Sequence, residues 1–132
     1  MKFTASKNID SKNWAVILIA ALIFCSAIMS RVYELDYRPM HVDEAVHAVK
    51  FGDLLEKGFY KYDPIEYHGP ALNYFSLIPS IFTGKTKFSE LTEYDLRIIP
   101  VIASIILLLL ILSLFNEFNY KYILLLLFLT AF

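Results

Sequence analysis

The residues best equipped for chemistry lie in one short run, His41-Val42-Asp43-Glu44-Ala45-Val46-His47, with Tyr67-His68-Gly69-Pro70 following some twenty residues later. Carboxylates and imidazoles are the side chains that accept, donate and relay protons near neutral pH. On a helix, Asp43 and His47 stand four apart and share one face, while Glu44 points about 100° away. A carboxylate and an imidazole would then serve one polar site. His41 can join them from the chain leading into the helix, and His68 from the chain leading into the next apolar stretch.

Two chemistries fit this set. The run Asp43 to His47 is similar to the His-Glu-x-x-His helix of zinc proteases, with aspartate in place of the first histidine. Three histidines and two acids are ligands enough for a metal, which would make a metal-dependent hydrolase. The other chemistry uses no metal. If the substrate is a sugar carried on a lipid phosphate, the phosphate departs without a general acid, and one carboxylate suffices to take the proton from the acceptor hydroxyl. Arg31, Arg38 and Lys50 are near in sequence and suit a lipid phosphate, although each also suits the role of an interface anchor. Acids in the first turn of a helix have a plain structural use as well, since they cap it and complement its dipole.

The elements that position these residues follow from hydropathy. With 58% hydrophobic and 16% aromatic residues, the chain is too apolar for an ordinary soluble domain and reads as an integral membrane protein. Four apolar stretches succeed one another, at 14–30, 71–83, 98–115 and 122–132. The first and third have the length of spans. The second is 13 residues long and holds Pro79, which at about 1.5 Å per residue reaches about 20 Å against a hydrocarbon core of about 30 Å. Lys85, Lys87 and Arg97 crowd its far side, as a cytoplasmic loop would, and the stretch is therefore expected to cross. The fourth is in full apolar stride where the sequence ends, which suggests the front piece of a longer membrane protein.

Residues 1–13 carry Lys2, Lys7 and Lys12 against Asp10, whereas residues 31–70 carry eight acids against five bases. This asymmetry puts the tail in the cytoplasm and the loop outside, with 14–30 as an uncleaved anchor in the cell membrane. The lone Cys25 reads as a small packing residue inside that anchor. Within the outer loop, Ala45-Val46, Val49, Phe51-Gly52 and Leu54-Leu55 recur at near-helical spacing until Gly58. They predict an amphipathic helix over 43–57, lying along the membrane surface with Gly58 as its C-cap. The expected fold is all-α and polytopic: tail 1–13, span 14–30, outer loop 31–70, span 71–83, cytoplasmic loop 84–97, span 98–115 and a partial span 122–132.

The ordered set resembles a known family. A first span, then His-x-Asp-Glu-Ala-x-His-Ala, then Tyr60-x-Tyr-Asp-Pro and Tyr-His-Gly-Pro, then Thr92-Glu-x-x-x-Arg97-Ile-Ile-Pro100, looks like the N-terminal part of a GT-C glycosyltransferase. It is most similar to the archaeal and bacterial flippase-activity-associated membrane proteins, relatives of the protein O-mannosyltransferases and aminoarabinose transferases. The resemblance implies a polyprenyl-phosphate sugar donor; the expected acceptor is a glycan, lipid or protein, with no cofactor unless the divalent metal of the first reading is present, and no nucleic-acid partner. It puts the catalytic role on Asp43, with Glu44 beside it. His41, His47, Tyr67, His68 and Arg38 become the candidate substrate contacts, and the His68-Gly69-Pro70 step resembles the His-Pro-Pro of the mannosyltransferases. Arg97 resembles an arginine that opens the third span, placed for structure rather than catalysis. A non-catalytic protein that binds lipid-linked sugar is the alternative reading.

Overall fold

The computed structural model describes residues 13–65 and 69–132. Residues 1–12, whose cytoplasmic placement is expected above, and the candidate contacts Tyr67 and His68 lie outside the described residues. The described chain is all-helical, with α1 (Asn13–Val32), α2 (Val42–Lys57), α3 (Ala71–Thr83), α4 (Glu93–Ser113) and α5 (Tyr120–Ala131). No strand occurs among the described residues. Two stretches, Trp14–Val32 and Glu93–Asn116, are long and apolar enough to cross a membrane. The chain divides into two compact units, one of Met1–Tyr33 with Ala103–Phe132 and the other Glu34–Ile102.

The first unit packs α1, α5 and the later turns of α4 around Ala20, Ala27, Leu108, Ile111, Ile123, Leu127 and Ala131. Ala20 and Ala27 are seven residues apart, so they fall on one face of α1. Their small side chains let the neighbouring backbone approach, which is how helices pack where no hydrophobic force separates them from lipid. Cys25 lies off this face and is exposed, so it is not the packing residue expected from the sequence. Arg31, at the end of α1, spends its guanidinium on backbone carbonyls: Nη1 donates to Ala131 (2.8 Å) and Ala27 (3.1 Å), and Nη2 to Thr130 (2.7 Å). It is thereby a clasp between α1 and α5, not the phosphate contact considered above.

The second unit is organised around α2. Its limits match the amphipathic helix expected over 43–57 to within one residue, and Gly58 ends it in the left-handed region (φ 75°), donating its N–H to Leu54 O at 2.9 Å. Ala48, Phe51 and Leu54 make the inner face and pack with Leu96 of α4. The segment after α3 folds back onto the same helix. Phe88 N–H donates to Glu56 Oε1 (2.9 Å), and the Phe88 ring lies over Gly52, where a Cβ would meet its Cδ2, Cβ and Cγ within 3.0 Å. Gly52 is therefore required by close approach inside a helix that would otherwise prefer alanine.

These contacts bear on the expected membrane path. The sequence reading separates loop 31–70 from loop 84–97 by a crossing over 71–83. In the structure, Arg97 Nη1 donates to Leu35 O at 2.6 Å, and Phe88 rests on α2. Segments meant for opposite faces of a membrane are hydrogen-bonded neighbours. The lysine cluster that suggested a cytoplasmic loop has a local use instead: Lys85 Nζ bonds Asp95 Oδ2 at 2.6 Å, which in turn accepts the N–H and Oγ of Thr92 (both 2.7 Å) and so caps the start of α4.

The clash at Gly52 gives a test. Alanine there gains intrinsic helix propensity but must displace Phe88 at its Cβ, so Gly52→Ala is expected to destabilise the intact protein by about 1–3 kcal/mol, the usual cost of overpacking. Thermal unfolding in detergent reads this. The double variant Gly52→Ala/Phe88→Ala should recover part of the loss relative to Phe88→Ala alone.

Candidate functional site

The candidate site is the N-terminal turn of α2 and the groups that fix it. His41 is the N-cap, in extended conformation (φ −74°, ψ 157°). Its Nδ1 accepts from the backbone N–H of Asp43 (3.3 Å), and Glu44 Oε2 reaches back to accept from the N–H of His41 (3.0 Å). This is a capping box with histidine in the place serine or threonine usually fills. An Nδ1 that accepts leaves the ring proton of neutral His41 on Nε2. The ring is exposed, and Asp43 Oδ2 stands 3.5 Å from Nδ1.

Glu44 has a second engagement that decides its character. Arg97 meets it fork to fork, Nε to Oε1 at 3.0 Å and Nη2 to Oε2 at 2.7 Å. The same guanidinium donates through Nη1 to Leu35 O and through Nη2 to Pro39 O at 3.4 Å. The Arg97 side chain is buried and Glu44 is partly so. The hydrogen bonds from Arg97 hold the Glu44 carboxyl below its ordinary value of 4.5, overcoming the opposing effect of burial, with help from the His41 N–H and the charge of Arg38. A carboxylate so held is a poor proton acceptor and a good strut. Arg38 itself is exposed on the chain leading into α2.

Asp43, the other acid of the pair, is about three-quarters exposed at its side chain. Its backbone is fixed by His41, but its carboxylate faces outward. His47 has the opposite fate. It is buried against α3, its ring stacked on Phe51, with Nδ1 3.0 Å from Asn73 Oδ1 and Nε2 3.4 Å from Ser76 Oγ. Because Asn73 Oδ1 accepts, Nδ1 carries the proton. The Ser76 hydroxyl is 2.9 Å from Leu72 O and bonds there. The structure thus does not join Asp43 and His47 in one polar site: one faces out and the other ties α2 to α3.

Lys50 pairs with Asp63 (Nζ to Oδ2 3.8 Å), drawing the chain after Gly58 back along α2. Among the described residues no group of three His, Cys, Asp or Glu side chains is arranged to hold a metal ion. Three participants escaped the sequence reading: Asn73, Ser76 and the true partner of Arg97. The first two carried a signal, since Asn73, Ser76 and Ser80 form a polar stripe on an otherwise apolar helix. The Glu44–Arg97 pair, 53 residues apart in sequence, carried none that hydropathy would show. Neither protein-family models, nor curated proteins, nor solved structures match this chain.

The lowered Glu44 value sets a pH dependence. Its contribution is fully present above the unfolded value of 4.5 and is lost as pH falls through the lower folded value. Thermal unfolding of the intact protein at descending pH should therefore show the wild type losing stability across this interval. Glu44→Gln should be less stable at pH 7 and flatter through the same interval. Equal slopes in the two proteins would mean that Arg97 does not depend on the Glu44 charge.

Proposed function

We propose that this protein transfers a sugar from a polyprenyl-phosphate donor at the outer face of the cell membrane, as the resemblance to GT-C glycosyltransferases implies, with Asp43 as the base that receives the acceptor proton. The observation that carries this reading is the division between two neighbouring acids. Glu44 is bound on both oxygens and held ionised by Arg97, while Asp43 projects from a rigid turn with its carboxylate exposed. General-base work asks for such an arrangement, a free carboxylate on a fixed backbone.

The acceptor can be a glycan, a lipid or a protein hydroxyl, and no cofactor is needed. Departure of a phosphate supplies the driving force on the donor side, so one carboxylate completes the proton inventory. In this reading the protein is a multi-pass membrane protein, its tail in the cytoplasm and its residues 34–97 outside. Exposed Arg38, three residues before the N-cap, is the cation best placed for the donor phosphate, since Arg31 and Lys50 have other partners. His47 belongs to the support of the site and not to the substrate. That assignment disfavours a metal-dependent hydrolase, whose helix would need the His47 ring nitrogens that Asn73 and Ser76 face.

Asp43→Asn tests the reading. The change preserves size and leaves the His41–Asp43 backbone bond untouched, so membrane insertion and thermal stability should survive. Sugar transfer by the intact protein in membranes should fall by about 10² to 10⁴, the usual worth of a positioned base. His47→Gln should instead lower stability and leave the pH profile of transfer in place. An Asp43→Asn protein that binds lipid-phosphate sugar and transfers it at the wild-type rate would remove Asp43 as base. No transfer by the wild type, with retention of the lipid-linked sugar, would favour a non-catalytic binding protein.

A further inference from the structure

α3 is built inside out. Asn73, Ser76 and Ser80 are 3%, 0% and 4% exposed, whereas Phe75, Ile78 and Phe82 are 56%, 50% and 85% exposed. Each exposed apolar residue stands two positions after a buried polar one, which at about 100° per residue puts the two stripes about 200° apart. Tyr74 and Ile81 widen the apolar side. In water a 13-residue helix would turn this pattern round, burying phenylalanine and exposing serine. A shallow groove of about 290 Å³ between α2 and α3, lined by Leu55, Leu77 and Ile81 and closed by Lys85 and Thr86, opens beside the same face.

The polar stripe has occupants: Asn73 and Ser76 meet His47, and the hydroxyls of Ser76 and Ser80 bond the carbonyls of Leu72 and Ser76. What covers the apolar stripe is indicated by the two ends of the unit. Leu35 follows the apolar run of α1 by three residues, and Arg97 precedes the apolar run of α4, which starts at Ile98. The 2.6 Å bond between them holds together the chain that follows the first apolar run and the chain that precedes the second. α3 lies between them in sequence, and its 13 residues reach about 20 Å, too short to span about 30 Å of hydrocarbon. A short helix with one apolar side, in a chain that carries an apolar stretch of spanning length before it and another after it, meets acyl chains. Tyr74 and Lys85 near its two ends are residues that favour the headgroup region.

We propose that α3 is a membrane-surface helix that does not cross: its Phe75–Ile78–Phe82 side lies against lipid acyl chains and its Asn73–Ser76–Ser80 side closes on α2. Residues 34–97 then form one element on a single side of the membrane, and this holds whatever Asp43 does. Single cysteines at Ile78 and Phe82, in a Cys25→Ser background, test it in the intact protein. Nitroxide labels there, in phosphatidylcholine–phosphatidylglycerol vesicles, should be open to oxygen and shielded from a water-soluble nickel chelate. Greater access to nickel than to oxygen would mean a water-facing side, and shielding from both would mean a protein partner or a second copy; each overturns the proposal. In intact cells an impermeant maleimide should label Asp53→Cys and Thr86→Cys equally. Labelling of the first with protection of the second would restore the crossing and refute it; Thr86 is exposed and Asp53 partly so, its carboxylate paired with Lys57 on the helix surface.

Discussion

A buried guanidinium is the constraint on which the Glu34–Ile102 unit depends. Arg97 cannot shed its charge, and its five N–H donors lie in one plane, so taking it out of water is tolerable only if acceptors converge on it from the directions that plane dictates. They come from Leu35 and Pro39 in the approach to α2 and from the carboxylate of Glu44 in its first turn. Satisfying one side chain of α4 thus fixes the entry and the start of α2. Removal of either partner would strand a charge in a partly buried place, which is why such a pair enforces one arrangement even where it adds little net stability.

The same contact separates the roles of two adjacent acids. Asp43 and Glu44 differ by one methylene and one position, yet the helix turn directs them about 100° apart, one toward Arg97 and one toward solvent. Environment, not residue type, makes the difference between a strut and a reactive group. His41 supports both: its ring caps the Asp43 N–H and its own N–H is capped by Glu44. The turn is therefore closed from each end before any substrate is considered. A preorganised backbone with one exposed carboxylate, beside the His41 ring, is what acid–base chemistry on the proposed reading would use.

The elements themselves were legible in the sequence. The periodicity of Ala45 to Leu55 and the cap at Gly58 marked α2, and the apolar runs marked α1, α3, α4 and α5, because local propensity and hydropathy act over one or two turns. The site was legible as a cluster but not as an arrangement. Helical spacing put Asp43 and His47 on one face, and it is tertiary contact that separates their surroundings, with Asn73 and Ser76 drawing the His47 ring into the α2–α3 seam. Charge counting was blind to the pairing of Lys85. The positive-inside rule treats a lysine as solvent-facing, which holds for the exposed Lys87, whereas the Lys85 ammonium is engaged by Asp95. That local pairing exists because Thr92 and Asp95 have to start a helix just beyond it.

Hydropathy also could not tell a crossing from a helix laid on the surface, since both need apolar residues and only their distribution round the axis differs. In a spanning helix every side may be apolar; in a surface helix the polar residues must gather on one line. The line Asn73, Ser76, Ser80 is that gathering, and its members are small, which lets α3 sit close against α2 while Ser76 and Ser80 return their hydroxyls to the helix's own carbonyls. Pro79 interrupts the ladder in this same short helix, so a fully lipid-immersed position would leave a backbone carbonyl to be satisfied in hydrocarbon. At the surface, headgroups and water can meet that carbonyl, which is the one of Phe75, four residues before the proline. Length, polar stripe and proline therefore argue in one direction, toward a helix whose chemistry suits the boundary between lipid and water better than either side of it.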